Sequence, residues 1–166
     1  MQWYICNGQT DHLIETGIDL YKLPLQEKKD ILCSCIYGID IDIHAVEVAK
    51  FSLLIKLIED ETAPSVSEVV PILPDLGDNI QFGNSLVSQT ELNGISGANH
   101  QMMEIAPFDW NAINNGCGFD VIIGNPPYVN TEGMHALLPS AEVEIYKKKY
   151  KTSHKQFDKY FIFIEQ

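Results

Sequence analysis

Two short apolar runs, separated by one long apolar helical stretch, constrain the fold of this chain more than any other feature. Ile36-Tyr37-Gly38-Ile39-Asp40-Ile41-Asp42 reads as a strand leaving its sheet through an acidic turn. Residues 43–58 read as a helix that is apolar on most sides, with polar relief at His44, Glu47, Lys50 and Lys56. A helix of that kind packs against a sheet and against something else as well. Asp42 suits its N-cap, where a carboxylate meets the positive end of the helix dipole. Glu59-Asp60-Glu61 ends it, and residues 62–77, with Pro64, Pro71 and Pro74, read as an irregular crossing. Asn79-Ile80-Gln81-Phe82 is the second strand, stopped at Gly83-Asn84-Ser85. Strands joined by helical crossings imply a parallel α/β sheet.

A third apolar run, Phe119-Asp120-Val121-Ile122-Ile123-Gly124, reads as a buried strand and delivers Asn125-Pro126-Pro127-Tyr128. Prolines fix φ and carry no N–H, so this turn is stiff and its carbonyls are free to accept. Taken alone, the tetrapeptide is a strand stop, because Asn-Pro and Pro-Pro punctuate chains. In context it suits holding a flat molecule by an exocyclic amine, since ligands of open α/β sheets bind beyond the carboxyl ends of strands. Three such ends line up. At the first, Asp40 can accept hydrogen bonds from ribose hydroxyls while Asp42 caps the helix. At the second, the Asn84 side chain can pair with an adenine amine as the following backbone N–H meets a ring nitrogen; a simple turn is the competing reading. Asn125 to Tyr128 form the third. One nucleoside-containing cofactor and one planar substrate fit this row. Residues 89–115 are long, polar and Gly/Asn-rich around Trp110 and are read as including mobile loop, whereas 142–150 and 157–164 read as helices.

The 166 residues, 45% apolar and 20% charged, suit a single domain over 1–166, with residues 1–30 left as an unassigned N-terminal segment. No run approaches the roughly 20 apolar residues that span a bilayer, and the N-terminus lacks the pattern of a secretory signal. Cys6, Cys33, Cys35 and Cys117 read as reduced, partly buried thiols of a cytoplasmic protein, and neither they nor the scattered histidines imply a metal. The net charge of −12 argues against gripping nucleic acid over the whole surface. Between residues 147 and 159, however, six lysines face one aspartate. Lys147, Lys148, Lys149, Lys151 and Lys155 are a candidate phosphate-facing strip, the plainer reading being a solvated helix face. The chain has no arginine, so a guanidinium fork is not available to clamp phosphates or read guanine edges.

Residues 37–42 followed by Ala45-Val46-Glu47-Val48-Ala49-Lys50-Phe51-Ser52-Leu53 resemble the cofactor-ribose segment of N6-adenine DNA methyltransferases, in particular of fused (Type IIG) restriction-modification enzymes. Residues 79–86 resemble their cofactor-adenine segment, 119–128 their catalytic segment, and Tyr150 with 155–165 the helix that follows. The resemblance runs from about residue 31 to 166. It implies a Rossmann-like S-adenosylmethionine-dependent fold with an incomplete, mostly parallel sheet. It assigns Asn125, Pro126, Pro127 and Tyr128 to catalysis, and Asp40, Ile41, Asn84, Ser85 and Asn125 to the cofactor. Double-stranded DNA with one adenine rotated out is the implied partner.

The family's glycine-rich segment, upstream of the ribose carboxylate, has no counterpart in residues 1–32, and the downstream specificity domain is also missing. The expectation is therefore an internal piece of a larger enzyme, inactive alone and with weak or no cofactor binding. Its absent first strand would be replaced by the Trp3–Ile5 region, filled by a second chain, or rearranged. The tetrapeptide by itself is shared with enzymes acting on protein glutamine or on guanine N2 of RNA, and a catalytically silent scaffold is the remaining alternative.

Overall fold

The computed structural model describes residues 1–18, 20–62, 70–96, 98–113 and 116–166. The chain divides into two compact units, 1–38 with 47–80 and 39–46 with 81–166. Pro64 and residues 114–115, part of the expected crossing and loop, lie outside the described residues.

The first unit opens with α1 (Gln2–Cys6), β1 (Ile14–Gly17), β2 (Leu20–Lys22) and α2 (Leu25–Cys35). β1 and β2 pair antiparallel, Ile14 opposite Lys22 and Glu15 opposite Tyr21. The Trp3–Ile5 region is helical and so supplies no strand, which removes one of the expected ways to fill the sheet. Leu25, Leu32, Leu57, Leu76 and Ile80 are the buried apolar residues of this unit. Glu61, its carboxylate almost wholly enclosed, receives Lys28 at 2.7 Å and Lys22 at 3.3 Å. The amide of Asn79 donates to the carbonyls of Cys33 (2.8 Å) and Ile36 (2.9 Å). It thereby satisfies acceptors that the end of α2 leaves without intrahelical partners.

β3 (Gly38–Asp40), α3 (Ile43–Ile58) and β4 (Ile80–Phe82) follow in the order read from the sequence. The Gly38 N–H donates to Asn79 O at 2.8 Å, and the Gly83 N–H donates to Asp40 O at 2.9 Å. The pairing therefore advances in the same sense along both strands, so β3 and β4 are parallel and α3 is the crossover between them. Asp42 caps α3 as expected, its carboxylate accepting the His44 N–H at 2.8 Å. Val46 and Leu57 are buried, yet Val48 and Phe51 are about two-thirds exposed.

The second unit adds α4 (Gln89–Asn93), α5 (Met102–Ile105), α6 (Thr131–Leu137), α7 (Ser140–Lys149) and α8 (Lys159–Glu165). Its core joins Leu86, Val87, Leu92, Ile105, Met134, Val143, Ile145, Tyr146, Tyr150, Phe157 and Ile162. Within residues 89–113 a reciprocal capping box of Ser88 and Glu91 starts α4, and short helical turns follow at 98–105 and 110–112. Two expectations are corrected here. Residues 119–123 are not a strand, and Val121, Ile122 and Ile123 are 74, 82 and 93% exposed. A strand is defined by ladder hydrogen bonds to a neighbouring strand, and among the described residues this run belongs to no sheet. Finally, Cys6, Cys35 and Cys117 are exposed rather than partly buried. Among the described residues no helix is long and apolar enough to cross a membrane.

Candidate active site

Two of the three expected strand ends meet. The bond from Gly83 N–H to Asp40 O joins the exit of β3 to the exit of β4, and Asn84 follows at once. Gly83 has no room for a side chain: a Cβ would lie 2.8–2.9 Å from atoms of Phe108. Asp40 is exposed, and one of its carboxylate oxygens accepts the Asp42 N–H at 2.8 Å. Its remaining lone pairs face solvent and can accept from ligand hydroxyls. Ile41, 55% exposed, stands beside it.

Asn84 is only 6% exposed. Its amide donates to Glu142 at 3.0 Å, and its carbonyl oxygen accepts the Leu86 N–H at 3.1 Å. Both ends of the side chain are thus used inside the protein. Ser85, the other residue expected there, is half-buried, and its carbonyl accepts the Trp110 indole N–H at 2.8 Å.

The Asn125-Pro126-Pro127-Tyr128 segment is held at its flanks. On the upstream side, Trp110 makes an edge contact with Phe119 at 6.0 Å between ring centroids while bonded to Ser85. On the downstream side, the Lys159 N–H donates to Val129 O at 2.8 Å, and Asn130 and Asp158 form an antiparallel bridge. The Thr131 hydroxyl donates to Phe157 O and accepts the Phe157 N–H, both at 2.8 Å. Between these flanks Asn125, Pro127 and Tyr128 are exposed and Pro126 half-buried. Among the described residues no hydrogen bond joins Asn125 to Asp40 or Asn84, so the third expected exit is not tied directly to the other two.

A buried polar cluster that sequence reasoning missed lies behind these flanks. Glu142, 3% exposed, accepts from the Asn84 amide, from the Tyr146 hydroxyl and from Lys159 at 3.3 Å. Lys159 also lies 5.4 Å over the Tyr146 ring. The signal was present in the sequence: Glu142 and Tyr146 stand at i and i+4, so they share one face of α7, and Tyr150 follows as its C-cap. Burial pushes the Tyr146 phenol far above its ordinary value, and the Glu142 charge beside it adds to the shift. Tyr150 is raised by burial first, then by the charges of Glu91 and Glu165.

The sign of the pH dependence follows. The unfolded chain releases these two protons near the ordinary phenol value of about 10, while the folded chain keeps them. Stability from Tyr146 and Tyr150 is therefore complete below about pH 10 and declines as pH rises beyond it. Urea midpoints measured from neutral pH upward should stay level for these groups and then fall in the alkaline range. Phenolate absorbance should show both tyrosines ionising only with unfolding.

The lysines of the basic strip differ in their surroundings. Lys149 pairs with Glu91 at 3.0 Å, donates to Leu86 O at 3.2 Å and lies over the Tyr150 ring, so it serves the fold. Lys147 and Lys148 are exposed, the first beside His135 and the second paired with Glu144, and Lys151 and Lys155 are exposed as well.

The site thus comprises a βαβ unit with an acid at one strand exit and a buried asparagine at the next, and an exposed Asn-Pro-Pro-Tyr further along the chain. Residues 34–166 match the family described as Eco57I restriction-modification methylase, and the chain belongs to that family. It is 45% identical over its whole length to the Escherichia coli type II restriction enzyme and methyltransferase RM.Eco57I, but spans only 16% of that protein. Over 82 residues, 49% of the chain and 7% of the relative, it is 37% identical to RM.MjaORFECS2P of Methanocaldococcus jannaschii, named in the same class. No solved structure matches.

Proposed function

We propose that these residues are the catalytic stretch of a site-specific DNA adenine-N6 methyltransferase of a restriction-modification system, with a Rossmann-like sheet completed by other parts of the same protein. The observation that carries the reading is the stiff Asn125-Pro126-Pro127-Tyr128 turn, exposed between two pinned flanks in a chain of this methylase family.

The residues present fit S-adenosylmethionine in part. The open oxygens of Asp40 suit vicinal ribose hydroxyls, and Ile41 offers an apolar flank to the base. With the Asn84 side chain used internally, recognition of the cofactor's adenine edge falls to the backbone at Ser85. When bound, the cofactor supplies an electrophilic sulfonium methyl. The protein's own task is to make the adenine amine nucleophilic, because its lone pair is delocalised into the ring. The Asn125 side-chain oxygen and the Pro126 carbonyl accept the two N6 hydrogens. This draws the nitrogen toward tetrahedral geometry and aims its lone pair at the methyl. The same fixed dipoles stabilise positive charge as it develops on nitrogen, without a strong base beforehand. Tyr128 stacks on the extruded base, a contact of ~1–3 kcal/mol in comparable base–aromatic stacks. Phosphate contact is assigned to Lys147, Lys148, Lys151 and Lys155.

The test is transfer of labelled methyl by the complete protein onto unmethylated plasmid DNA, onto protein and onto RNA in parallel, with the product identified by mass. N6-methyladenine from DNA is expected. Label confined to glutamine or to guanine N2 refutes the proposal.

A further inference from the structure

The Tyr128 ring lies against that of Tyr160, with centroids 5.7 Å apart and planes 15° from parallel. We infer that Tyr160 is a positioning residue for the substrate base. It backs one face of Tyr128 and leaves the opposite face as the platform on which a planar nucleobase stacks. This rests on the function proposed above.

Tyr128 is 79% exposed. A side chain so exposed ordinarily samples several rotamers, and ordering it on binding would cost entropy. Tyr160 removes that freedom beforehand, because it is itself rigidly placed. It is the second residue of α8, and its N–H is held by the Asp158 carboxylate at 3.0 Å. The residue before it, Lys159, bonds Val129 through the backbone and Glu142 through the ammonium. The Asn130–Asp158 bridge fixes the spacing of the two rings from the other side. A base cannot enter between them without breaking these bonds. Two stacking separations of about 3.4 Å exceed the 5.7 Å available. The open face of Tyr128 is the one left for the base.

The experiment uses the complete protein with Tyr160→Leu and Tyr160→Phe. Leucine keeps apolar bulk on α8 without an aromatic face, and phenylalanine keeps the face. The probe is a duplex with 2-aminopurine at the adenine that the wild-type protein methylates, located by sequencing methylated plasmid. Tyr160→Leu should lose most of the fluorescence change that reports the extruded base. Its kcat/KM on DNA should fall about tenfold, with S-adenosylmethionine affinity and melting temperature unchanged. Tyr160→Phe should restore both readouts to near wild type. A Tyr160→Leu protein with wild-type fluorescence and kinetics overturns the inference, as does a phenylalanine variant as impaired as leucine. If the wild-type protein methylates no adenine in DNA, the underlying functional reading fails first, and that result is seen before any variant is made.

Discussion

Asn125→Ala in the complete protein is expected to lower kcat for methyl transfer by about 10²–10³-fold, the range seen when one preorganised polar group is removed from a reacting centre. The size follows from when the contact matters. A neutral adenine amine needs little help to sit in a pocket, but a nitrogen becoming tetrahedral and positive needs acceptors already aimed at its hydrogens. Removing one therefore depresses kcat and kcat/KM together, the pattern of an interaction made in the transition state. Two features of the structure keep the test clean. Asn125 is exposed and outside the hydrophobic core, so alanine leaves no buried group unpaired and the melting temperature should stay within about 1 °C of wild type, as for other surface changes. Ribose contact is proposed for Asp40, on another segment, so calorimetric affinity for S-adenosylmethionine should change by less than about twofold, within the ±0.5 kcal/mol typical of surface changes. Turnover at the wild-type rate would refute the role of Asn125. A parallel collapse of cofactor affinity would move the residue from the substrate amine to the cofactor.

The parts of this fold that could be read from sequence are those specified by local chemistry. Residues 43–58 form a helix with the expected bounds, because the apolar pattern and the Asp42 cap act within one turn of each end. The parallel relation of β3 to β4 was likewise implied by a strand, a helical crossing and a strand in succession. Residues 119–123 carry β-branched side chains in a run that any pattern would name a strand. Yet strand formation depends on a neighbour's donors and acceptors, and no local sequence supplies those. Asn84 was found by its position at a strand exit, but its internal partners were not legible. A turn asparagine and a buried node look alike in sequence, and only the distant Glu142 separates them. Trp110, inside what reads as loop, owes its role to a carbonyl 25 residues upstream.

Glu142→Ala should destabilise the second unit by about 3–5 kcal/mol, the cost of removing one partner from a buried ion pair. The carboxylate accepts from three groups at once, from Asn84, Tyr146 and Lys159. Alanine strands all three, and the side chain of Lys159 is only 14% exposed, so water does not easily replace the lost partner. Glu142→Gln keeps an acceptor oxygen for the Asn84 amide or the Tyr146 hydroxyl while removing the charge. It should therefore fall between wild type and alanine. The double variant Glu142→Leu/Lys159→Met separates attraction from stranded charge. Replacing both partners by apolar groups of similar volume is often neutral, whereas breaking one is not. Urea unfolding of the four proteins, followed by circular dichroism, should thus place the double variant well above Glu142→Ala. A single variant costing less than about 1 kcal/mol, the scale of an exposed pair, would show that the cluster is solvated in solution. Because Asn84 sits at the exit of β4 and Lys159 holds Val129, Glu142→Ala should also loosen the Asn125-Pro126-Pro127-Tyr128 turn before the unit unfolds. Amide exchange at Val129 to Thr131 that quickens at urea concentrations where the core is still protected would reveal that loosening, and it ties the carboxylate to the geometry on which Asn125 depends.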